Sequence, residues 1–199
     1  MKKLYGYPLS GHSHRVELFL NLLGLDFESV TVDLMKGEHR QDPFLRLNPF
    51  GQVPVLEDDG LVLADSNAIL VYLAQRYGPE WLPADPIVQA RVQRWLSVAA
   101  GELASGPAAA RLVTVFGAPY DHEAVKEKAH KLLGLLEAHL AQADWVAGQR
   151  PTIADISLYT YVAHAPEGQV ALDEYPKVQA WLHRIEQLPN FVAMQKTKV

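Results

Sequence analysis

The sequence predicts an α/β unit followed by an all-helical one. Three observations carry this. Residues 2–34 read as strand, helix and strand by their apolar spacing; Asp58-Asp59-Gly60 joins two short apolar runs as a hairpin turn; and beyond the proline-rich segment 78–86 every apolar pattern has the helical period. A strand–helix–strand opening implies parallel strands with a right-handed crossover.

The elements follow in order. Residues 2–7 form the first strand and Pro8 to His12 a loop. Ser13 is a candidate N-cap for a helix whose apolar face is Val16, Phe19, Leu20 and Leu23, stopped by Gly24. Phe27 to Leu34 alternates Val30, Val32 and Leu34, a strand pattern. A short helical piece spans Pro43 to Leu47. Val53 to Leu56 and Leu61 to Ala64 are the hairpin strands. Asp65 or Ser66 caps a helix carrying Ile69, Tyr72, Leu73 and Tyr77, ended by Gly78-Pro79. Val88, Val92, Trp95, Leu96, Ala99 and Leu103 mark one long helix and Val125 to Leu140 a second. Thr152 opens a third, and Val178, Trp181, Leu182 and Ile185 mark a fourth. The division expected is 1–77, a linker at 78–86, and 87–199.

Composition narrows the function. Of 199 residues 49% are apolar and 21% charged, near globular averages, so the chain is long and apolar enough to fold without staples. Lys and Arg number 18 against 23 Asp and Glu, a balance that argues against a general nucleic-acid binder. With no cysteine there is no disulfide, thiolate metal site or cysteine nucleophile, which fits a reducing cytoplasm. No apolar run approaches the roughly 18 residues of a membrane span, and no apolar stretch after Lys2-Lys3 suggests a signal peptide. His12 and His14 lie two apart and share no helix face, so no metal pair is expected, and His122, His130 and His139 lack metal-binding spacing.

Four segments are candidates for chemistry. Pro8-Leu9-Ser10-Gly11-His12-Ser13-His14-Arg15 lies between a strand and a helix start, where exposed N–H groups favour an anion and a serine hydroxyl can donate to it. The alternative is that Ser10 and Ser13 are only loop and cap residues. Val53-Pro54 enters a strand where proline cannot donate to the ladder, which marks a special turn whose backbone could pair with a peptide-like ligand. Asp65-Ser66 at a helix start is either an N-cap pair or a clasp for an amino-acid headgroup, Asp65 taking the ammonium and Ser66 the carboxylate. Lys36-Gly37-Glu38-His39-Arg40 is either a solvated face or a carboxylate holder.

These four segments, in this order, resemble the cytosolic glutathione transferases over essentially the whole chain. Pro8-x-Ser10, Arg15-Val16, Gly37-Glu38-His39-Arg40, Asn48-Pro49-Phe50-Gly51-Gln52-Val53-Pro54-Val55-Leu56 and Asp65-Ser66 carry the resemblance, with Thr152-Ile153-Ala154-Asp155 resembling the family's capping box. The wording is similar to the phi class or a related bacterial serine-type class; Asp65 stands where glutamate is commoner.

The resemblance implies an α/β thioredoxin-like N-terminal domain plus an all-α C-terminal helical domain, a homodimer, a cytoplasmic detoxification enzyme, and a cis Val53–Pro54 bond. It implies glutathione as cosubstrate with no covalently bound cofactor, and a small hydrophobic electrophile as the second partner. Ser10 would hydrogen-bond the glutathione sulfur, with Ser13 and Tyr5 as second choices. His39 and Arg40 would hold the glycine carboxylate, Gln52, Val53 and Pro54 the cysteinyl backbone, and Asp65 and Ser66 the γ-glutamyl group. Leu9, His12, Leu103, Arg111 and Val115 would border the electrophile pocket. Glutathione-dependent peroxide or disulfide reduction, and a non-catalytic binding module, are the alternatives; the fold alone does not decide between them.

Overall fold

The computed structural model describes residues 1–197. β1 (Lys2–Gly6) and β2 (Phe27–Thr31) pair in parallel around the crossover helix α1 (Gly11–Leu22), with Lys2 opposite Phe27 and Gly6 opposite Thr31. After the short α2 (Asp42–Leu45), β3 (Val55–Asp58) and β4 (Leu61–Ala64) form the hairpin, and β3 runs antiparallel to β1 with Tyr5 opposite Val55. The sheet order is β2-β1-β3-β4, the thioredoxin-like arrangement. α3 (Ser66–Tyr77) completes this part, and all strands among the described residues lie within it.

The rest is helical. α4 (Pro86–Val98) is capped by Asp85, whose carboxylate accepts the Ile87 and Val88 N–H groups at 2.9 Å, with Pro86 in the first turn where no N–H is missed. It runs on through a π-helical stretch, Ala99–Ala108, into α5 (Ala109–Phe116). Pro107, which lacks an N–H, lies in that stretch. A side chain at Gly106 would come within 2.9 Å of the Ala129 nitrogen, so glycine permits the close approach of α6 (His122–Leu140). α7 (Ile153–Ala163) and α8 (Pro176–Glu186) follow. No described helix is long and apolar enough to cross a membrane.

α7 is the central post. All but its last residue are buried, and it packs on both halves of the chain. Its N-terminus is a capping box: the Asp155 carboxylate accepts the Thr152 N–H at 2.9 Å, and also the Val146 N–H and the Trp181 indole N–H. Leu4, Val16, Phe19, Leu56, Ile69 and Leu73 join Leu103, Ile156, Trp181 and Ile185 in one continuous core. A second, small cluster of Val32, Phe44 and Val55 sits with Tyr5 beside α2.

Several expected boundaries move. β2 ends at Thr31 rather than Leu34 because β1 ends at Gly6; the Val32 N–H takes the Gly6 carbonyl, and Asp33 then turns the chain by accepting the Met35 and Lys36 N–H groups. The first hairpin strand is shifted from 53–56 to 55–58, starting after Pro54 where N–H donors become available. The N-cap of α1 is Ser10, not Ser13: Ser10 has the extended backbone a cap needs, and its hydroxyl accepts the Ser13 N–H at 3.3 Å. The segment 78–86 holds a short 3₁₀ turn, Pro79–Trp81. The Val53–Pro54 bond is cis.

Candidate active site

A cleft of about 570 Å³ opens where the first turns of α1 and α3 meet the long helix. Its walls bring together Ser10, His39, Gln52, Val53, Pro54, Asp65 and Ser66, with Leu9, His12 and Arg111. These residues come from five separate stretches of chain, and local structure places each one.

Ser10 lies at the N-terminus of α1, where the helix dipole favours negative charge. Its oxygen accepts from Ser13, which leaves its own proton free to donate. Gln52 and Val53 follow a loop organised by buried Asn48, which donates to the Gln52 carbonyl at 2.7 Å and accepts the Phe50 N–H. Gly51, at φ +61°, passes so close to His39 that a Cβ would stand 3.0 Å from the His39 carbonyl oxygen. The His39 Nδ1 is buried without a protein partner.

Asp65 caps α3 by accepting the Ala68 N–H at 2.9 Å, and holds a left-handed φ of +72° that costs a non-glycine residue about 1–3 kcal/mol. Ser66 behind it is 4% exposed. Arg15, 1% exposed, donates to the Ser66 hydroxyl at 2.7 Å and to Asn67 Oδ1 at 3.1 Å. Burial, opposed by Tyr161 and Asp65, brings Arg15 down to about 10, so it stays charged at neutral pH. Burial first, and then the Arg15 charge, press His12 down to about 3. Neutral His12 presents Nδ1 to the Ser66 hydroxyl at 3.3 Å and to Arg15 at 3.4 Å, so Nδ1 is assigned as the acceptor and the ring proton falls on Nε2.

Five expected site residues are not in this lining. Tyr5 belongs to the α2 cluster and donates to Glu57 at 3.1 Å; it borders a separate hollow of about 490 Å³ with Val32 and Phe44. Ser13 is buried, and its hydroxyl accepts the Tyr7 N–H at 3.1 Å. Arg40 is exposed beside His39 and outside the cleft. Leu103 is fully buried in the core, and Val115 is absent from the lining. The residues that do face the cleft are Ala104, Ala108, Leu112 and Phe116. That i, i+4 series is offset by one residue from Leu103 and lies off the apolar series Val88 to Leu103 that the sequence marks.

Arg111 lines the cleft but is held elsewhere: its Nε donates to Glu167 at 2.7 Å and its Nη1 to the Leu9 carbonyl at 2.8 Å. Tyr7, Leu34 and Gly51 also line the cleft, as does Tyr161. The Tyr161 ring packs against Gly11, where a Cβ would lie 2.6 Å from Cζ, and meets the His12 ring edge-on at 5.1 Å. No sequence pattern points to Tyr161; it reads as one more core residue of α7. Among the described residues no group of three His, Asp or Glu side chains converges as a metal site would.

The cleft therefore offers a polar half from the sheet side and an apolar half from α5 and the π-helical stretch. A donor hydroxyl at a helix N-terminus lies in it with a carboxylate and an exposed backbone segment. Two family models match the chain, "Glutathione S-transferase, N-terminal domain" over residues 2–75 and "Glutathione S-transferase, C-terminal domain" over 108–189. Glutathione S-transferase 3 of Zea mays is 39% identical, covering 98% of this chain and 92% of that one. The maleylacetoacetate isomerase of Pseudomonas aeruginosa is 35% identical, covering 89% and 87%. The crystal structure of a glutathione S-transferase from Pseudomonas fluorescens superposes with a TM-score of 0.92 at 34% identity, covering 98% and 99% of the two chains. Glutathione transferase F7 from Populus trichocarpa superposes at 0.83 with 33% identity, covering 96% of each.

Proposed function

The chain belongs to the glutathione S-transferase family, and from that premise we propose how its cleft activates glutathione for attack on a small hydrophobic electrophile. It is a glutathione transferase with glutathione as cosubstrate. The Ser10 hydroxyl donates to the sulfur. Asp65 and Ser66 hold the γ-glutamyl group, Gln52 and Val53 pair with the cysteinyl backbone beside Pro54, and His39 takes the glycine carboxylate. Leu9, His12, Ala104, Ala108, Leu112 and Phe116 receive the electrophile. Residues 1–77 act as the glutathione-binding domain, 78–86 as the linker and 87–199 as the helical domain. A cytoplasmic homodimer working in detoxification is the setting the family suggests.

The observation that carries this is the position of Ser10: cap of α1, proton free, in one cleft with Asp65, Ser66 and His39. The energies suffice. A free thiol with a pKa of about 8.5 is mostly protonated at pH 7, and lowering it by about two units needs about 2.7 kcal/mol of preference for the anion. A helix N-terminus supplies about 0.3–1 kcal/mol, more when partly buried. A hydrogen bond to a charged sulfur adds about 1.5–3 kcal/mol. The nucleophile is the bound thiolate; Ser10 is a donor and forms no covalent bond.

The test is ultraviolet difference titration of the mercaptide band with saturating glutathione. A midpoint well below that of glutathione in buffer is expected, and a midpoint equal to it would overturn the reading. Parallel assays with an aryl halide and an organic hydroperoxide separate conjugation from peroxide reduction.

A further inference from the structure

The Leu9–Ser10 peptide plane is gripped at both edges. Its N–H donates to the Tyr7 carbonyl at 2.9 Å, closing a turn within the loop. Its C=O accepts from Arg111 Nη1 at 2.8 Å, a bond that spans 102 residues and reaches in from α5. Arg111 is 2% exposed and is itself clamped, its Nε donating to Glu167 Oε2 at 2.7 Å. Glu167 is buried as well. It takes the Thr197 hydroxyl at 2.6 Å and the Thr197 N–H at 3.1 Å, and lies 2.7 Å from His164 Nδ1.

We infer that Arg111 and Glu167 are positioning residues for Ser10. Their ion pair, braced by Thr197, fixes the plane of the Leu9–Ser10 peptide and so the direction in which the Ser10 hydroxyl enters the cleft. The inference rests on the reading of Ser10 as donor to the sulfur.

Two features favour this role over packing alone. The guanidinium fork satisfies a carboxylate with one arm and a main-chain carbonyl with another, which a single ammonium cannot reproduce in the same geometry. And that carbonyl is the one next to Ser10, in a loop with no regular secondary structure of its own. A hydrogen bond to a thiolate depends on direction, so a loop free to tilt would hold the anion less well without changing how the rest of glutathione is held.

The experiment is Arg111→Lys, read by mercaptide titration, by steady-state kinetics and by thermal denaturation. The expected result is an upward shift of the bound thiol's titration midpoint and a kcat about tenfold lower, with the KM for glutathione within about twofold. Should that variant fail to fold, the paired exchange Arg111→Met with Glu167→Met buries no charge and is expected to show the same split. A folded variant with the wild-type midpoint overturns the inference, and so does a loss confined to the KM for the electrophile, which would make Arg111 a substrate contact. Ser10→Ala, run alongside, separates the failures. A midpoint moved by Ser10→Ala but not by Arg111→Lys removes the brace alone; a midpoint unmoved by Ser10→Ala removes the reading of Ser10.

Discussion

Arg15 donates to the Ser66 hydroxyl at 2.7 Å across 51 residues of chain, and this bond ties α1, just past its first turn, to the first residue of α3. The same nitrogen reaches Asn67 Oδ1, which also receives the Ser157 hydroxyl at 2.7 Å from α7. The two helix starts that wall the cleft are thus fixed to each other and to the central post by one cation with almost no exposure. With Arg15 occupying a lone pair of Ser66, the serine proton is directed away from Arg15, on the side where His12 Nδ1 stands 3.3 Å away.

Arg15→Met is therefore expected to weaken glutathione binding. Losing charged hydrogen bonds of this kind costs about 1.5–3 kcal/mol, and the part that falls on Ser66 orientation should raise the dissociation constant about tenfold or more. Calorimetric titration with S-methylglutathione measures it without turnover. An unchanged affinity in a folded variant would mean that Ser66 holds its direction unaided.

Ser10 caps α1 and, in the proposed function, also donates to the sulfur; two variants separate the two roles. Ser10→Ala removes both the cap and the donor; the cap alone is worth about 1 kcal/mol of stability. Turnover is expected to fall about tenfold or more, the loss of a hydrogen bond made to the reacting charge, with little change in glutathione affinity. Ser10→Asp keeps a capping oxygen for the Ser13 N–H and so keeps the fold, but it sets a carboxylate beside the sulfur. It should be less active than the alanine variant despite the higher melting temperature. The reverse ranking would show that Ser10 serves only the helix.

Much of this site was legible because its residues sit in local signals. Pro8-x-Ser10, the Asn48 to Leu56 run and Asp65-Ser66 each place a polar group at a turn or a helix start, where its partners are within a few residues. Spacing puts the cap of α1 at Ser13, since both serines precede the same apolar face; the extended backbone at Ser10 makes Ser10 the cap. What stayed hidden depends on distant partners. Arg111 meets Leu9 and Glu167 at separations of 102 and 56 residues, so an apolar-periodicity reading sees only a charge on a helix. Leu103 belongs to the same buried face of the long helix as Val92, Leu96 and Ala99, so its apolar spacing marks the core and not the cleft.

Acid should loosen this protein through its buried histidines. His14 lies 2.9 Å from both Thr160 Oγ1 and the Val192 carbonyl, so Nε2 carries the proton and Nδ1 accepts the threonine hydroxyl. Burial, only partly offset by the bond to Val192, lowers it from 6.5 to about 4. The unfolded chain therefore takes up a proton first as pH drops. Stability is fully present above pH 6.5 and is lost as pH falls toward 4, by about 3 kcal/mol for a shift of this size. His12 is shifted in the same direction. Urea unfolding between pH 7 and 4 checks this, with His14→Gln expected to flatten the curve. An equally steep curve in that variant would assign the acid sensitivity to other groups.

In the proposed function the apolar half of the cleft sets which electrophiles fit. Ala104 and Ala108 are the small residues of the helical wall, in line with Leu112 and Phe116. In the proposed reading their short side chains leave room for a flat ring, and Ala104→Phe is expected to fill that room from the helical side. Glutathione affinity and the mercaptide midpoint should stay as they are. Turnover of an aryl halide should fall about tenfold or more, since overfilling a packed site costs about 1–3 kcal/mol. A small hydroperoxide, which needs only access to the sulfur, should lose far less. Equal losses on both substrates would show that the ring does not lie along this face, and a shifted midpoint would show that the phenylalanine reaches the glutathione half.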